Sequence, residues 1–353
     1  MKHKSFSSIK EIIKDAKKGK IFILVDDKNR ENEGDLVIPA SKCNSKIINF
    51  MAKHGRGLIC LALTQKRVKK LSLPLMSSIN KSRTQTAFTI SIEAKKGIST
   101  GISAKDRAKT IKVAINKQTS KKDIVSPGHV FPLVAKPGGV LERAGHTEAS
   151  IDISKLAKLN PSSVICEVMN EDGTMARYND LIKFAKKHKL KIAKIEDLIS
   201  HRLKNERLIK LASKRKISID KFGTFELKVF KNKLDGSEHF VITKGKFNKT
   251  KASRVRVIST NLLNSALNLN KNIFKKTLRY LNSFNNFALI LIKNSNLYQK
   301  LPENINILRY YGVGAQIIKE LNIKKMILVS RSKKRIIALK GYGIKITKQE
   351  IIK

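Results

Sequence analysis

The sequence predicts an α+β protein of two domains, and three observations carry that expectation. Short apolar runs of strand length alternate with amphipathic stretches of helix length. The chain has 353 residues, room for two cores of ordinary size. Its charge balance also shifts near residue 200, since residues 1–200 carry 39 Lys+Arg against 19 Asp+Glu and residues 201–353 carry 35 against 8.

The elements follow in order. Ser8 and Glu11 form a capping box, Ile9, Ile12, Ile13 and Ala16 lie at helical spacing, and Gly19 can end that helix. Residues 21–25 read as a strand, 57–63 as a buried strand and 86–93 as a partly alternating one. Residues 103–115 read as a helix capped by Ser103 and Asp106, with Ala104, Ala108, Ile111 and Ile115 as its buried stripe. Turns are expected at Ser126-Pro127-Gly128-His129 and Pro137-Gly138-Gly139, and the Arg143–Glu148 segment leads into a helix through Ile151 and Leu156. A strand over 163–169, a tight turn over 170–173 and a helix over 178–189 follow; residues 192–202 close the first part. The second part opens on the lysine-rich segment 204–216. It shows strands at 225–230, 240–243, 288–292 and 326–330 and a helix between Gly314 and Leu321, with Gly312, Gly314, Gly341 and Gly343 as punctuation.

Composition excludes several classes. Hydrophobic content is 41%, and no apolar run approaches the ~18–20 residues of a membrane span. The basic start, Met1-Lys2-His3-Lys4, has no signal-peptide core behind it, so a cytoplasmic protein is expected. Cys43, Cys60 and Cys166 are odd in number and lack CxxC spacing, which argues against a disulfide framework and a cysteine-rich zinc site. The formal net charge of +47 raises nucleic-acid binding, and a basic RNA-binding protein on an enzyme scaffold is one alternative reading. The lysines are scattered rather than striped and no recognition motif accompanies them, so no dedicated nucleic-acid binding is expected.

Five of the 27 acidic side chains fall within Asp26-Asp27-Lys28-Asn29-Arg30-Glu31-Asn32-Glu33-Gly34-Asp35. Such a cluster repels itself unless a positive charge compensates it. Carboxylate oxygens suit Mg2+ or Mn2+, whose shell is completed by substrate and water. If strand 21–25 runs on through this stretch, alternation puts Glu31, Glu33 and Asp35 on one face; a solvated acidic turn is the plain alternative. Arg143-Ala144-Gly145-His146-Thr147 at a helix start gathers backbone N–H groups, a guanidinium and a hydroxyl, a cradle for a phosphate monoester. His146 offers an imidazole that can share a metal with the acidic stretch, although a lone histidine is more often a satisfied core residue. His129, in its expected turn, is free to act as a general base. Glu167, among Val164, Ile165, Cys166 and Val168, would have a raised pKa suited to proton transfer, or else faces outward as an ordinary strand residue. Gly97-Ile98-Ser99-Thr100-Gly101 matches the GxSxG nucleophile elbow in form, but loop and helix-cap duty is the better account. Cys60 lines the pocket or belongs to the core.

At these segments the sequence resembles the 3,4-dihydroxy-2-butanone 4-phosphate synthase family of riboflavin biosynthesis. The likeness spans residues 5–202 and rests on the acidic stretch, His54-Gly55-Arg56-Gly57-Leu58-Ile59-Cys60, Thr100-Gly101-Ile102-Ser103 with Asp106-Arg107, Ser126-Pro127-Gly128-His129, the segment from Arg143 to Ala149, and Ile165-Cys166-Glu167 continuing through Asn170-Glu171-Asp172-Gly173 to Arg177. The resemblance implies a mixed-sheet three-layer domain over residues 1–202. It also implies conversion of D-ribulose 5-phosphate to L-3,4-dihydroxy-2-butanone 4-phosphate and formate with Mg2+ or Mn2+, by a homodimer with sites at or near the subunit interface. By the same resemblance Glu31 and His146 hold the metal; Arg30, Glu31, Asp35, Arg143, Ala144, Gly145, His146, Thr147 and Glu167 bind substrate; His129 and Glu167 are essential for catalysis. Residues 206–353 resemble GTP cyclohydrolase II in fragments, at Phe222-Gly223-Thr224-Phe225, Asp235-Gly236-Ser237-Glu238-His239, Arg254-Val255-Arg256-Val257, Tyr311-Gly312-Val313-Gly314-Ala315-Gln316 and Leu339-Lys340-Gly341-Tyr342-Gly343. This smaller α/β domain has no cysteine, and Ser259-Thr260-Asn261-Leu262-Leu263 stands where that family carries its His-Ser-Glu-Cys segment. A degenerate domain without zinc is expected, with a bifunctional enzyme that also hydrolyses GTP as the alternative.

Overall fold

Helix α1, Ile9–Lys18, begins where the Ser8 hydroxyl accepts from Glu11 N and the Glu11 carboxylate accepts from Ser8 N, and it ends at Gly19 in the left-handed region at φ 71°. Ile9, Ile12 and Ala16 bury its inner face. The structure, a computed structural model, describes residues 6–28, 30–80, 84, 86–233, 236–248, 250–260, 271–293, 303–332 and 343–352, without the side chains of 259–260, 271–272 and 303–311. Asp235, Asn261, Leu262, Leu263 and residues 339–342, quoted above for the second domain, lie outside them, as does the side chain of Tyr311.

Residues Met1–His201 form one unit and Arg202–Lys353 another. The first unit is built on β1 (Phe22–Val25), β2 (Gly34–Pro39), β3 (Cys60–Thr64), β4 (Ile92–Ala94), β5 (Ile124–Ala135), β6 (Ser162–Glu167) and β7 (Lys191–Lys194), in the order β4-β5-β3-β6-β2-β1-β7. Pairings β3/β5 and β1/β7 are parallel and the rest antiparallel. Helices cover both faces, giving three layers. On one side Ile48 of α2 (Ser45–Phe50), Val68 of α3 (Gln65–Lys70), Ile111 and Ala114 of α4 (Ala104–Ile115) and Leu181 of α6 (Tyr178–Lys187) join one core with Leu36, Ile38, Leu61 and Val164. On the other, Ile151 of α5 (His146–Leu156) meets Ala62 and Ala135.

Helix α5 is buried at every residue from His146 to Ser154. Polar groups beyond its first residue are satisfied inside the fold, as burial requires. Ser150 Oγ donates to Thr147 O at 2.9 Å, Ser154 Oγ lies 2.8 Å from Ser163 Oγ, and the Asp152 and Glu148 carboxylates accept from the backbone N–H groups of Val140 and Lys136 at 2.8 and 3.0 Å.

Several expected elements are shorter or different. Residues 57–59 do not join β3, because the chain leaves a π-helical turn, Met51–Gly55, through Arg56 at φ 67°. Of residues 86–93 only the end pairs continuously, in β4, while Phe88 and Thr89 make isolated bridges. Residues 126–129 are not a turn between elements. They are the bulged part of β5, opposite a register shift between Ile92 and Glu93, with Ser126-Pro127 cis. The helix from Tyr178 stops at Lys187, and Lys189 takes φ 55°.

The second unit has its own sheet, β14-β13-β11-β12-β10-β9-β8, from β8 (Ile209–Ile219), β9 (Gly223–Asn232), β10 (Glu238–Lys244), β11 (Ser253–Thr260), β12 (Phe287–Lys293), β13 (Lys325–Ser330) and β14 (Lys345–Ile351). One half is antiparallel and the half from β12 to β14 parallel. Helices Lys271–Asn282 and Glu303–Glu320 accompany it. The lysine-rich segment 204–216 is thus mostly the exposed strand β8. No described helix in either unit is long and apolar enough to cross a membrane.

Because the Ser8 hydroxyl and the Glu11 carboxylate together satisfy the first turn of α1, Ser8→Ala is expected to cost about 1 kcal/mol, read as a lower urea midpoint with an unchanged slope.

Candidate active site

The acidic stretch does not continue the first strand. Val25 and Gly34 face each other across the antiparallel pair β1/β2, so the described residues between them, 26–28 and 30–33, belong to the connection. Straight continuation would string five carboxylates along one ribbon; folding back lets one carboxylate be spent on the loop itself. That one is Asp26, which accepts from Arg30 Nη1 at 2.8 Å, Glu31 N at 3.1 Å and Glu33 N at 2.9 Å. Arg30 also pairs with Glu31. The sequence reading gave Asp26 no role, although it lies inside the acidic run.

Gly145 caps the N-terminus of α5, and an added Cβ there would meet Arg143 Nη1 at 2.4 Å and Arg30 Nη2 at 3.1 Å. Two guanidinium groups therefore crowd the helix start beside buried Ala144 and Thr147, an anion seat formed by cations and helix dipole together. Arg143 is held by Glu148 at 2.6 Å, Thr84 O at 3.0 Å and Thr86 Oγ1 at 2.8 Å.

His146, the first residue of α5, points at the loop. Its Nδ1 is 4.0 Å from Glu31 Oε2 and 3.7 Å from Asp35 Oδ1, and its buried Nε2 has no hydrogen-bond partner. One ligand atom each from Asp26, Glu31 and His146 lie within 4.8 Å of one another. Glu31 and His146 fit a hard divalent cation: the buried Nε2 of the imidazole has no hydrogen-bond partner, while Asp26 already accepts three hydrogen bonds from the loop. Burial lowers the His146 pKa, with Arg30 and Arg143 adding to it against Asp26 and Glu31, so the imidazole is kept neutral as a ligand must be.

Asp35 of β2 faces Glu167 of β6 across the sheet. Burial first, then Glu167 and Glu31, raises the Asp35 pKa well above the usual carboxylate range. Glu167 is raised too, by burial first and against the N–H of Leu58, which donates to its Oε2 at 2.9 Å. Cys60 is buried, and burial, then Glu167 and Asp35, pushes its thiol up; it is protonated packing beneath the carboxylates.

His129 stands apart from this cluster. It lies on bulged β5 and its half-exposed imidazole pairs with Glu93 of β4, a partner the sequence reading missed. Cys60 pairs with both Phe131 and Ile165, so the strands on either side of β3 carry His129 and Glu167 toward the same end of the sheet. In the GxSxG segment Ser99 Oγ donates to Asp106 Oδ2 at 2.6 Å and Gly101 N to the same oxygen at 3.1 Å, which is cap chemistry without a base.

Residues 10–201 match the model of the 3,4-dihydroxy-2-butanone 4-phosphate synthase family. The chain belongs to that family. Residues 210–350 match GTP cyclohydrolase II, so a GTP cyclohydrolase II domain follows the synthase domain. The chain is 42% identical over 377 residues to the riboflavin biosynthesis protein RibBA of Aquifex aeolicus, covering 99% of this chain and 93% of that protein. It is similar along 98% of its length to the crystal structure of RibBX, a two-domain 3,4-dihydroxy-2-butanone 4-phosphate synthase from A. baumannii, with a TM-score of 0.83, 41% identity and 99% of that chain covered. A 3,4-dihydroxy-2-butanone 4-phosphate synthase crystallised with two magnesium ions matches 57% of this chain and 98% of its own, with a TM-score of 0.54 and 37% identity. The enzyme is a 3,4-dihydroxy-2-butanone 4-phosphate synthase of riboflavin biosynthesis.

The raised Asp35 pKa has a sign. A carboxyl that holds its proton more tightly folded than unfolded loses stability for the metal-free fold as pH rises from 3.8 through its folded value. In the metal-free protein Asp35→Asn is therefore expected to raise Tm at pH 7.5 by about 2–5 °C and to flatten the fall in Tm as pH rises above 3.8. Thermal melts in EDTA check it; a lower Tm in the variant sinks it.

Proposed function

We propose that the synthase domain, residues 1–202, converts D-ribulose 5-phosphate to L-3,4-dihydroxy-2-butanone 4-phosphate and formate in the cytoplasm, with Mg2+ or Mn2+ held by Glu31 and His146. The observation that carries the site assignment is the approach of Glu31 and the buried imidazole of His146 to 4.0 Å beside an anion seat. Arg143, Gly145, Ala144 and Thr147 take the phosphate at the start of α5, with Arg30 closing the seat from the loop. A bound divalent cation supplies stabilisation of the negative charge that develops on the sugar oxygens.

Product and formate together contain the atoms of the substrate, so no oxidant and no net water are needed. The chain must move protons: one leaves the carbon beside the ketone to give an enediol, water departs, the carbon skeleton shifts, and water returns as formate is released. Glu167 and Asp35, with pKa values raised toward neutrality, suit acid and base turns in that sequence. His129, polarised by Glu93, serves as a further acid–base group.

We infer a homodimer with its sites near the subunit interface. Supporting it, the His129 side chain is exposed while Asp35 and His146 are buried, and Val125 of β5 is an exposed apolar side chain, as are Leu75, Met76 and Ile79 before β4 and Ile102 after it. Residues 206–353 are proposed to be a degenerate cyclohydrolase domain without zinc, because no cysteine follows Cys166 to supply thiolates.

Formate release from ribulose 5-phosphate is expected to stop in EDTA, to return with Mg2+ or Mn2+, and to fall at least about 100-fold in Glu31→Ala and His146→Ala. Activity indifferent to both substitutions removes the metal site. For the second domain, GTP is expected to yield no formate; zinc-chelator-sensitive release of formate from GTP overturns its degeneracy.

A further inference from the structure

The π-helical turn that extends α2 leads straight to Glu167. Beyond it, Met169 N donates to Gly55 O at 2.9 Å, Arg56 bridges to Val168, and Leu58 N holds Glu167 Oε2 at 2.9 Å. A Cβ on Gly57 would lie 2.5 Å from Glu167 O and 2.7 Å from Oε2, so this segment touches the carboxylate closely enough to set its place.

Four rings brace the outer side of the turn. Phe50 and His54 have centroids 4.8 Å apart, His54 and His188 4.7 Å, Phe50 and His188 5.2 Å, and Phe184 and His188 4.5 Å. The charged groups facing them are Lys53, Arg56 and Lys187, with Glu171 3.6 Å from Arg56 and 3.9 Å from Lys187. Phe50 also borders a crevice with Lys20, Lys189 and Lys191, where Asp15 is committed to Lys191 at 3.1 Å. Cations thus outnumber carboxylates around the two imidazoles.

We propose that the stacked His54–His188 pair positions Glu167 through the π-turn, as a support of catalysis that works while both imidazoles are neutral. The proposal rests on the reading of Glu167 as a catalytic group. One imidazolium could still lie against the face of Phe184, but two would stand 4.7 Å apart among three further cations. Burial, then Lys53, Arg56 and Lys187, lowers the His54 pKa, and burial, then His54 and Lys187, lowers that of His188. A base whose folded pKa is depressed stabilises the fold above its ordinary value of 6.5 and loses that contribution as pH falls below it. The turn and the N–H on Glu167 loosen with it.

The test measures kcat and KM for formate release from pH 5 to 8.5 at saturating Mg2+ in His54→Phe, His188→Phe, His188→Lys and Glu167→Gln, each first checked for folding by circular dichroism. The phenylalanine variants keep the ring stack without a titrating group. They are expected to hold kcat at pH 7.5 within about twofold while their acid-side fall moves lower by about half a pH unit or more. His188→Lys, a fixed charge, is expected to lower kcat at pH 7.5 about tenfold with KM within about twofold, the mark of a misplaced catalytic group. Acid limbs that superimpose on the wild type in both phenylalanine variants overturn the proposal, and they decide it alone if the lysine variant does not fold. An inactive Glu167→Gln beside unshifted limbs overturns the support alone, whereas full activity in Glu167→Gln overturns the reading of Glu167 and the support with it.

Discussion

The site depends on bringing an acidic loop against the positive end of a buried helix. Glu31 and Asp35 cannot sit near each other and near Glu167 without compensation, because like charges out of water repel strongly. The fold answers with Arg30, Arg143 and the N-terminus of α5 on one side and a neutral His146 between. Asp26 makes this possible by spending its carboxylate on the loop backbone, so that Glu31 is left facing inward. Geometry and electrostatics have one cause here: the loop folds as it does because its charges must be shared out.

How much of this was legible in the sequence depends on the range of the interaction. The caps of α1 and α4 were readable because Ser8 with Glu11, and Ser103 with Asp106, satisfy backbone groups three residues away. The anion seat at Arg143 and Gly145 was readable for a similar reason, being a helix start with an arginine, a glycine and a threonine within five residues. Pro127, Gly128 and His129 misled: they carry local turn chemistry, yet tertiary pairing with β3 and β4 draws them into a bulged strand. The loop at 26–33 misled in the other direction, since alternation was extended across residues whose hydrogen bonds curl the chain back on itself. Strand β8 was hidden by its lysines, which suit an exposed edge and give no apolar period. The pairing of His129 with Glu93, 36 residues away, left no local signal at all.

The two sheets also differ in what they leave available. In the synthase domain nearly all polar chemistry gathers at one end of the sheet, where β2 begins and β6 ends. In the second domain the family likeness runs through the sheet, and no cysteine follows Cys166. Sheet packing needs only apolar residues of suitable shape, a looser demand than four ligands around an ion.

Helix α5 carries His146 and the anion seat at one tip and is anchored along its length by Ser150, Ser154, Asp152 and Glu148. A rod clamped at so many points cannot slide or tilt to follow a guest. The tip is thereby set in place before anything binds, and the entropy of ordering it falls on folding rather than on binding.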